Sequence, residues 1–371
     1  MEYCDALIIG GGPAGSSCAR QLRRQGMDVM VMDKALFPRD KVCAGWITPA
    51  VVDALELDTE QYAHKHVLQS ITSFRTGMID GAGVETQYAG TVSYGIRRYE
   101  LDDYLLKRSG ARLQLGQPLN SLARDGKQWI VNDAISTPML IGAGGHFCPV
   151  ARHMGAQLGA GEPAITAKEI EFKMTAYQYF NCKVRGDMPE LYFCPDLKGY
   201  GWCFNKGSYL NIGLGREDGH GLSAQLENFC DFLKQRGRIP QDIPDKFYGH
   251  AYLLNGHAVR KQVDDGILLI GDAAGLAYPQ SGEGIRPAVE SGLMAASTIM
   301  RAAGDYSQAK LKPYSAGLSE RFGTVSPTSA NKHEFLRKLI AGRLLENKWF
   351  TRHVVLNRWF LHATQEALQL N

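Results

Sequence analysis

The feature that most constrains this chain is a glycine loop close to its start. Ala6-Leu7-Ile8-Ile9 is a short apolar run, and Gly10-Gly11-Gly12-Pro13-Ala14-Gly15 follows it directly. Such a run ahead of a glycine turn suits a buried parallel strand. The chain then enters a helix, expected over Ser16 to Gln25. Gly10 permits the tight turn. Gly12 lets backbone approach a pyrophosphate, and Gly15 lets helix and strand pack closely. An anion then lies at the helix N-terminus, where free N–H groups and the macrodipole favour negative charge. Val29-Met30-Val31-Met32 reads as the next strand. It delivers Asp33, with Lys34 beside it, 18 residues past Gly15. A carboxylate there can accept both hydroxyls of an adenosine ribose. The loop alone could be a turn made for packing; with strand, helix and acid in place it reads as a dinucleotide site.

A second motif some 260 residues later chooses the dinucleotide. Ile267-Leu268-Leu269-Ile270 is another buried strand, ended by Gly271-Asp272, and Tyr278-Pro279-Gln280-Ser281-Gly282-Glu283-Gly284-Ile285-Arg286 leads into a helix expected from Pro287 to Ala303. Asp272 can hold ribityl hydroxyls. Gly282 and Gly284, with Ile285 behind them, let backbone approach a flat ring. The positive end of the helix would stabilise negative charge on a reduced flavin. Otherwise Asp272 could be a helix cap and Glu283 a solvated loop carboxylate. In this order the two motifs wrap one FAD, the first at its ADP end and the second at its ribityl-flavin end.

These stretches, with Arg98-x-x-Leu101-Asp102, resemble the FAD oxidoreductases of the p-hydroxybenzoate hydroxylase-like superfamily. Two further stretches are similar to its geranylgeranyl reductase branch. One is Lys41-Val42-Cys43-Ala44-Gly45. The other is Tyr200-Gly201-Trp202-Cys203-Phe204-Asn205-Lys206, continued by Asn211-Ile212-Gly213-Leu214-Gly215. The resemblance covers roughly residues 1 to 325. It implies FAD as cofactor, with Lys41, Cys43, Ala44 and Arg98 near the ring. It also implies a reaction in which reduced flavin delivers hydride to a carbon–carbon double bond. Cys43 would then orient the alkene or relay a proton, or else be a buried thiol. Glu283 stands as a further candidate catalytic group. Tyr200, Trp202 and Phe204 alternate along a strand and so share a face; they are either core packing or the wall of an apolar substrate tunnel.

The chain departs from the superfamily twice. Gly144 in Gly142-Ala143-Gly144-Gly145 replaces an aspartate that serves flavin binding and nicotinamide use. That puts efficient NAD(P)H reduction in doubt and leaves a separate reductase or ferredoxin-like carrier as an alternative donor. Trp46 replaces a small residue, and its indole either covers the flavin face, with a part in the chemistry, or lies on the rim.

The expected architecture is α/β: a Rossmann-like FAD-binding domain (1–60, 95–155 and 260–310), an antiparallel substrate domain (61–94 and 156–258) and a C-terminal helical region (311–371). A length of 371 residues allows two domains and a core able to enclose a cofactor. A net charge of only +3 argues against a nucleic-acid binder. The 8 cysteines form no CxxC, and His64-Lys65-His66 lacks accompanying ligands, so no metal is expected. The first strand begins within a few residues, and no run of about 18 apolar residues exists. A cytoplasmic protein is the expectation, with peripheral membrane contact through the tail as a further one. From Asn331 on, seven Lys/Arg face three Glu, a net of +4, interleaved with Phe335, Trp349, Phe350, Trp359 and Phe360. Arg337, Lys338, Arg343 and Lys348 would suit an acidic carrier. Apolar pairs at 344/345, 349/350, 354/355 and 359/360 recur every five residues, which gives one straight α-helix no single apolar face. Two short helices packed on the body are the expectation. The rival readings are a flavin monooxygenase or halogenase acting on an aromatic substrate, and a non-catalytic flavoprotein.

Overall fold

The computed structural model describes residues 1–158, 162–219, 221–257, 259–323 and 344–369. A six-stranded sheet carries both glycine motifs. Its order is Val263–Asp264, Ile267–Leu269, Leu140–Gly142, Ala6–Ile9, Val29–Asp33 and Arg112–Leu115. All neighbours are parallel except the first pair. Ala6–Ile9 is buried throughout, as a central parallel strand must be. Helix Pro13–Arg24 starts at the loop with proline in its first turn, where a missing N–H costs nothing. The later helix spans Ile285–Ala302, two residues earlier than the sequence pattern suggests.

These two helices cross in close contact. A Cβ at Gly292 would lie 2.4 Å from the Ala14 carbonyl oxygen, and one at Gly271 would lie 3.0 Å from the Ala14 Cβ. The two motifs are therefore docked on each other at the parallel strands' C-terminal ends.

The second sheet has seven strands: Tyr248–Tyr252, Ile165–Lys173, Tyr209–Arg216, Gly199–Lys206, Glu190–Phe193, Ser73–Met78 and Gly83–Gln87. Pairing is antiparallel except between Glu190–Phe193 and Ser73–Met78. Ile170, Leu210, Ile212 and Leu214 pack one face against helix Leu222–Gln235. Alternation sends Glu169, Glu171, Asn211 and Trp202 to the other face.

The 61–94 stretch divides. Ser73–Met78 and Gly83–Gln87 join the seven-stranded sheet, but Leu68–Ile71 and Ser93–Ile96 form a separate three-stranded sheet with Trp46–Ile47. Hydrophobic alternation marks strands without naming their partners.

In the tail, Lys348–Phe350 continues into a π-helix over Thr351–Phe360. Residues 344–346 are helical as well, with Asn347 capping the second stretch, and the π-helical winding gives the spacing of five at 349/350, 354/355 and 359/360. Hydrogen bonds from i to i+5 bring residues five apart to one side. Leu345, Val355 and Phe360 are buried, and Phe350 packs against the same cluster. Phe335, Arg337, Lys338 and Arg343 lie outside the described residues. Lys348 is exposed. No helix among the described residues is long and apolar enough to cross a membrane.

Gly292→Val should force the two motif helices apart. Overpacking of this kind costs about 1–3 kcal/mol. Thermal denaturation should show a lower Tm and spectroscopy a lower flavin content; an unchanged Tm would mean the crossing is not tight.

Candidate active site

The glycine loop offers a cradle for a dinucleotide phosphate. Cβ atoms at Gly10 and Gly15 would strike backbone at 2.3 and 2.0 Å, whereas one at Gly12 would meet only Arg39 Nη2, 3.7 Å away. Gly12 thus leaves room above the helix N-terminus, and Arg39 supplies a cation there. Arg39 is held by Asp102 at 3.3 Å, and the fully buried Asp102 also takes a bidentate pair from Arg98 at 2.6 and 2.8 Å. Asp33 ends its strand and accepts from the Gly11 and Ala35 N–H groups, both at 2.8 Å. Lys34 is exposed beside it. The loop, the terminal acid and the free helix end fit the ADP half of FAD.

At the other end, Asp272, Lys41 and His250 converge. Lys41 Nζ lies 3.1 Å from Nδ1 and 2.5 Å from Nε2 of His250, and His250 Nε2 lies 3.9 Å from the Asp272 carboxylate. Burial works to raise Asp272, but His250, Lys41 and Arg98 outweigh it and hold the carboxyl below its ordinary range. Burial pushes Lys41 down to about 8 against the pull of Asp272. The fit to a ribityl-flavin shows at Gly284, where a Cβ would come 3.2 Å from Asp272 Oδ1. Asp272 therefore borders the Tyr278–Gly284 turn, the candidate ring-binding turn, and the N-terminus of helix Ile285–Ala302.

A buried lattice braces this end. Arg260 donates to the Asp272 and Ala273 carbonyls at 3.2 and 2.9 Å, to the His146 carbonyl at 3.2 Å and to Glu162 at 2.9 Å. It ties the Gly144–His146 turn to the Gly271–Ala273 turn. Gly144 is filled from behind, since a Cβ there would meet Cys148 Sγ at 3.3 Å. A side chain at 144 would sit tightly against Cys148, which would have to give by a few tenths of an ångström.

A second lattice supports Cys43. Asn211 Nδ2 donates to the Cys43 carbonyl at 3.2 Å, while Asn211 Oδ1 accepts from Trp202 Nε1 at 2.7 Å. Lys206, almost fully buried, pairs with Glu171 at 2.9 Å, and Arg97 reaches Glu171 at 3.1 Å. Burial raises Glu169 to about 7, against the pull of Lys206. Burial also works to raise Glu171, but Lys206 and Arg97 override it and lower it. The Lys206 and Asn211 motif positions therefore carry the cysteine loop from beneath.

Tyr200, Trp202 and Phe204 do share a face, but it is not an open tunnel wall. Phe360 packs edge-on against Tyr200 at 5.2 Å and against Trp46 at 5.7 Å, so the tail covers the aromatic face. Trp46 is 5% exposed and stacks on Phe204 at 5.3 Å, with Phe74 edge-on. It is a core residue of this cluster, not a rim tryptophan. Tyr200 Oη donates to the Ser281 carbonyl at 2.5 Å, which joins the aromatic wall to the ring-binding turn. A small cavity of about 80 Å³ lies there, among Tyr200, Tyr252, Phe193 and Gly282. Buried Arg286 donates to the Gln365 and Glu366 carbonyls at 3.2 and 3.0 Å and latches the tail to the same turn. Glu283 is no solvated carboxylate: it accepts from the Arg286 N–H at 2.7 Å and caps the helix, and burial raises it to about 7.

Several of these groups carry no sequence motif. His250, Arg39, Arg260, Glu162 and Glu169 come from four separate segments. Only the alternation Tyr248-Gly-His250-Ala-Tyr252 hints that His250 shares a face with Tyr252.

The sequence profile of the FAD binding domain family matches residues 3–322. Menaquinone reductase of Mycobacterium tuberculosis (strain ATCC 25618 / H37Rv) is 30% identical over 324 residues, covering 80% of this chain and 77% of its own. Geranylgeranyl diphosphate reductase of Rhodobacter capsulatus is 30% identical over 344 residues, 88% of this chain and 82% of its own. A geranylgeranyl bacteriochlorophyll reductase-like protein from Thermoplasma acidophilum has the same fold, with a TM-score of 0.73 over 93% of this chain and 88% of that one at 21% identity. The chain belongs to the FAD binding domain family. Within it, the protein is an FAD-dependent oxidoreductase of the geranylgeranyl reductase group.

The raised Glu169 makes a pH prediction. Its folded-state value of about 7 exceeds the ordinary 4.5, so the folded protein keeps a proton that the unfolded chain releases. The stability this adds is complete below pH 4.5 and is lost as pH rises through 7, by up to roughly 3 kcal/mol. Glu283 shifts in the same sense. Melting curves from pH 5 to 8 should show a falling Tm, and Glu169→Gln should flatten the fall.

Proposed function

We propose that this enzyme reduces a carbon–carbon double bond in an isoprenoid or other apolar substrate. The observation that carries the reading is the chain of contacts from Trp202 through Asn211 to Cys43. It sets the Lys41–Gly45 loop against an aromatic wall beside the ring-binding turn. Two relatives support it, since their names describe reductases of menaquinone and of geranylgeranyl diphosphate.

FAD, when bound, supplies the hydride; the protein binds, orients and dries the site. Gly10, Gly12, Pro13, Ala14 and Gly15, with Arg39, hold the pyrophosphate. Asp33 and Lys34 serve the adenosine end. Gly271 and Asp272 would hold the ribityl chain, and Gly282, Gly284 and Ile285, with Lys41, Ala44, Arg98 and Gly144, would hold the ring. The stretches 1–60, 95–155 and 260–310 would make the cofactor unit, with 61–94 and 156–258 as the substrate unit. Cys43 is held through its carbonyl by Asn211, and its sulfur accepts from the Gly45 N–H at 3.4 Å; in this reading the thiol orients the alkene or passes a proton to the second carbon. The tail, latched through Arg286 and Phe360, keeps water out and must shift to admit a long substrate. Glu283 works as a helix cap and Trp46 as a wall residue.

Cys43→Ala should keep FAD and lower turnover by about 10²–10⁴-fold, the usual worth of a proton-transfer group. The assay is chemically reduced protein with prenyl and aromatic compounds, with and without oxygen, and products weighed. Gain of two hydrogens supports the reading. Gain of one oxygen or a halogen would replace it with a monooxygenase or halogenase.

The electron donor follows from Gly144. The turn offers no carboxylate to a nicotinamide, and Cys148 packs tightly behind it. NADPH should therefore reduce the flavin slowly, with a separate reductase or ferredoxin-like carrier the better donor. Stopped-flow mixing without oxygen checks this: rapid, saturable bleaching by micromolar NADPH would overturn it. Gly144→Asp alone should help little, and Gly144→Asp with Cys148→Ala should help more.

A further inference from the structure

We propose that His250 is the proton acceptor that balances charge at the flavin site, taking up one proton when bound FAD receives two electrons.

The geometry places His250 between a cation and an anion of the site. It lies on the edge strand Tyr248–Tyr252 of the seven-stranded sheet, opposite Ala167, so its register aims it at the face that carries the cysteine loop. There it touches groups from two other segments: Lys41 Nζ, within hydrogen-bond distance of its ring nitrogens, and Asp272, 3.9 Å away. Tyr252, two residues on, stacks with it at 6.1 Å. Further charged or titratable groups around the cluster are Arg98, on helix Arg98–Arg108, Arg39 and Cys43, on the loop with Lys41, and, about Asp272, Arg260 and His146, which face each other. Arg98 and Arg39 are committed to Asp102. Lys41, pushed down to about 8, lies against the ring nitrogens and carries its proton through the lower part of the pH range. Asp272 is held ionised by its cationic neighbours. Glu283, on the neighbouring turn, spends its carboxylate on the Arg286 N–H, whereas His250 is the imidazole that faces both Lys41 and Asp272.

At rest the ring is neutral. Burial lowers its affinity for a proton, and Lys41 adds to that, while Asp272 works the other way. Lys41 and Asp272 then cancel. Two electrons and one proton delivered to FAD leave the cofactor one unit more negative. That charge, placed beside His250, raises the affinity of the ring, and a proton from solvent converts it to imidazolium. The sum is two electrons from the reductant and two protons from water, with no net charge left in a half-buried site. Losing the added proton when the electrons leave would return His250 to its neutral state. The proposal needs bound FAD and no alkene, so it stands or falls apart from the substrate reading.

The test is spectroelectrochemical titration of the FAD-loaded protein between pH 6 and 8, with an electrode as the reductant. In the wild type, the midpoint potential should fall with pH at the slope of two protons per two electrons. His250→Gln, which keeps a hydrogen-bonding side chain but cannot become a cation, should halve that slope while retaining FAD. A wild-type slope of one proton, or an unchanged slope in the variant, overturns the proposal. If the variant does not hold FAD, redox-difference infrared spectra of wild-type protein carrying ¹⁵N-histidine decide it. Reduction should replace a neutral-ring band with an imidazolium band, and its failure to do so is a negative result. A purely structural role for His250 would move neither readout.

Discussion

Everything at the flavin site depends on the crossing of helices Pro13–Arg24 and Ile285–Ala302. In the proposed reading the first would present its N-terminus to a pyrophosphate and the second its N-terminus to the flavin ring. Both ends serve one FAD only if the helices sit within backbone contact. Gly292 against the Ala14 carbonyl and Gly271 against the Ala14 Cβ allow that approach. Ser291 Oγ adds a bond from the Gly271 N–H at 2.9 Å. The sheet that carries the loops orders its strands around the same point, with Leu140–Gly142 between Ala6–Ile9 and Ile267–Leu269.

Two buried polar lattices transmit this arrangement. Arg260, with Glu162 and His146, fixes the turns that flank Asp272. Lys206, with Glu171, Glu169 and Asn211, fixes the loop that carries Cys43. Their burial has a cost that pairing offsets: removing one partner of a buried ion pair is typically worth about 3–5 kcal/mol. They place charge close to the site without leaving it free there. The tail then seals the aromatic face, and the π-helical winding that puts residues five apart on one side suits that task.

The sequence by itself determined the cofactor and the fold class. A strand, a glycine turn and a helix are local in the chain, and the loop's steric demands can be read residue by residue. Asp33 and Gly271-Asp272 can be read in the same local way, whereas the Lys41–Gly45 loop was read only through its resemblance to a family. Only the tertiary structure decided which groups meet. His250 and Arg260 belong to no motif, because their importance lies in neighbours that are 209 and 114 residues away in Lys41 and His146. Trp46, on the sequence a candidate lid over the flavin, is claimed instead by Phe204, Phe74 and Phe360. Glu283 is claimed by a helix end, and the division of the 61–94 strands between two sheets is a matter of pairing. The spacing of five in the tail was visible, but its meaning required the hydrogen-bond pattern. Periodicity reports which side of an element is apolar; it carries no information on what that side packs against, and that is set by contacts between segments far apart in the chain.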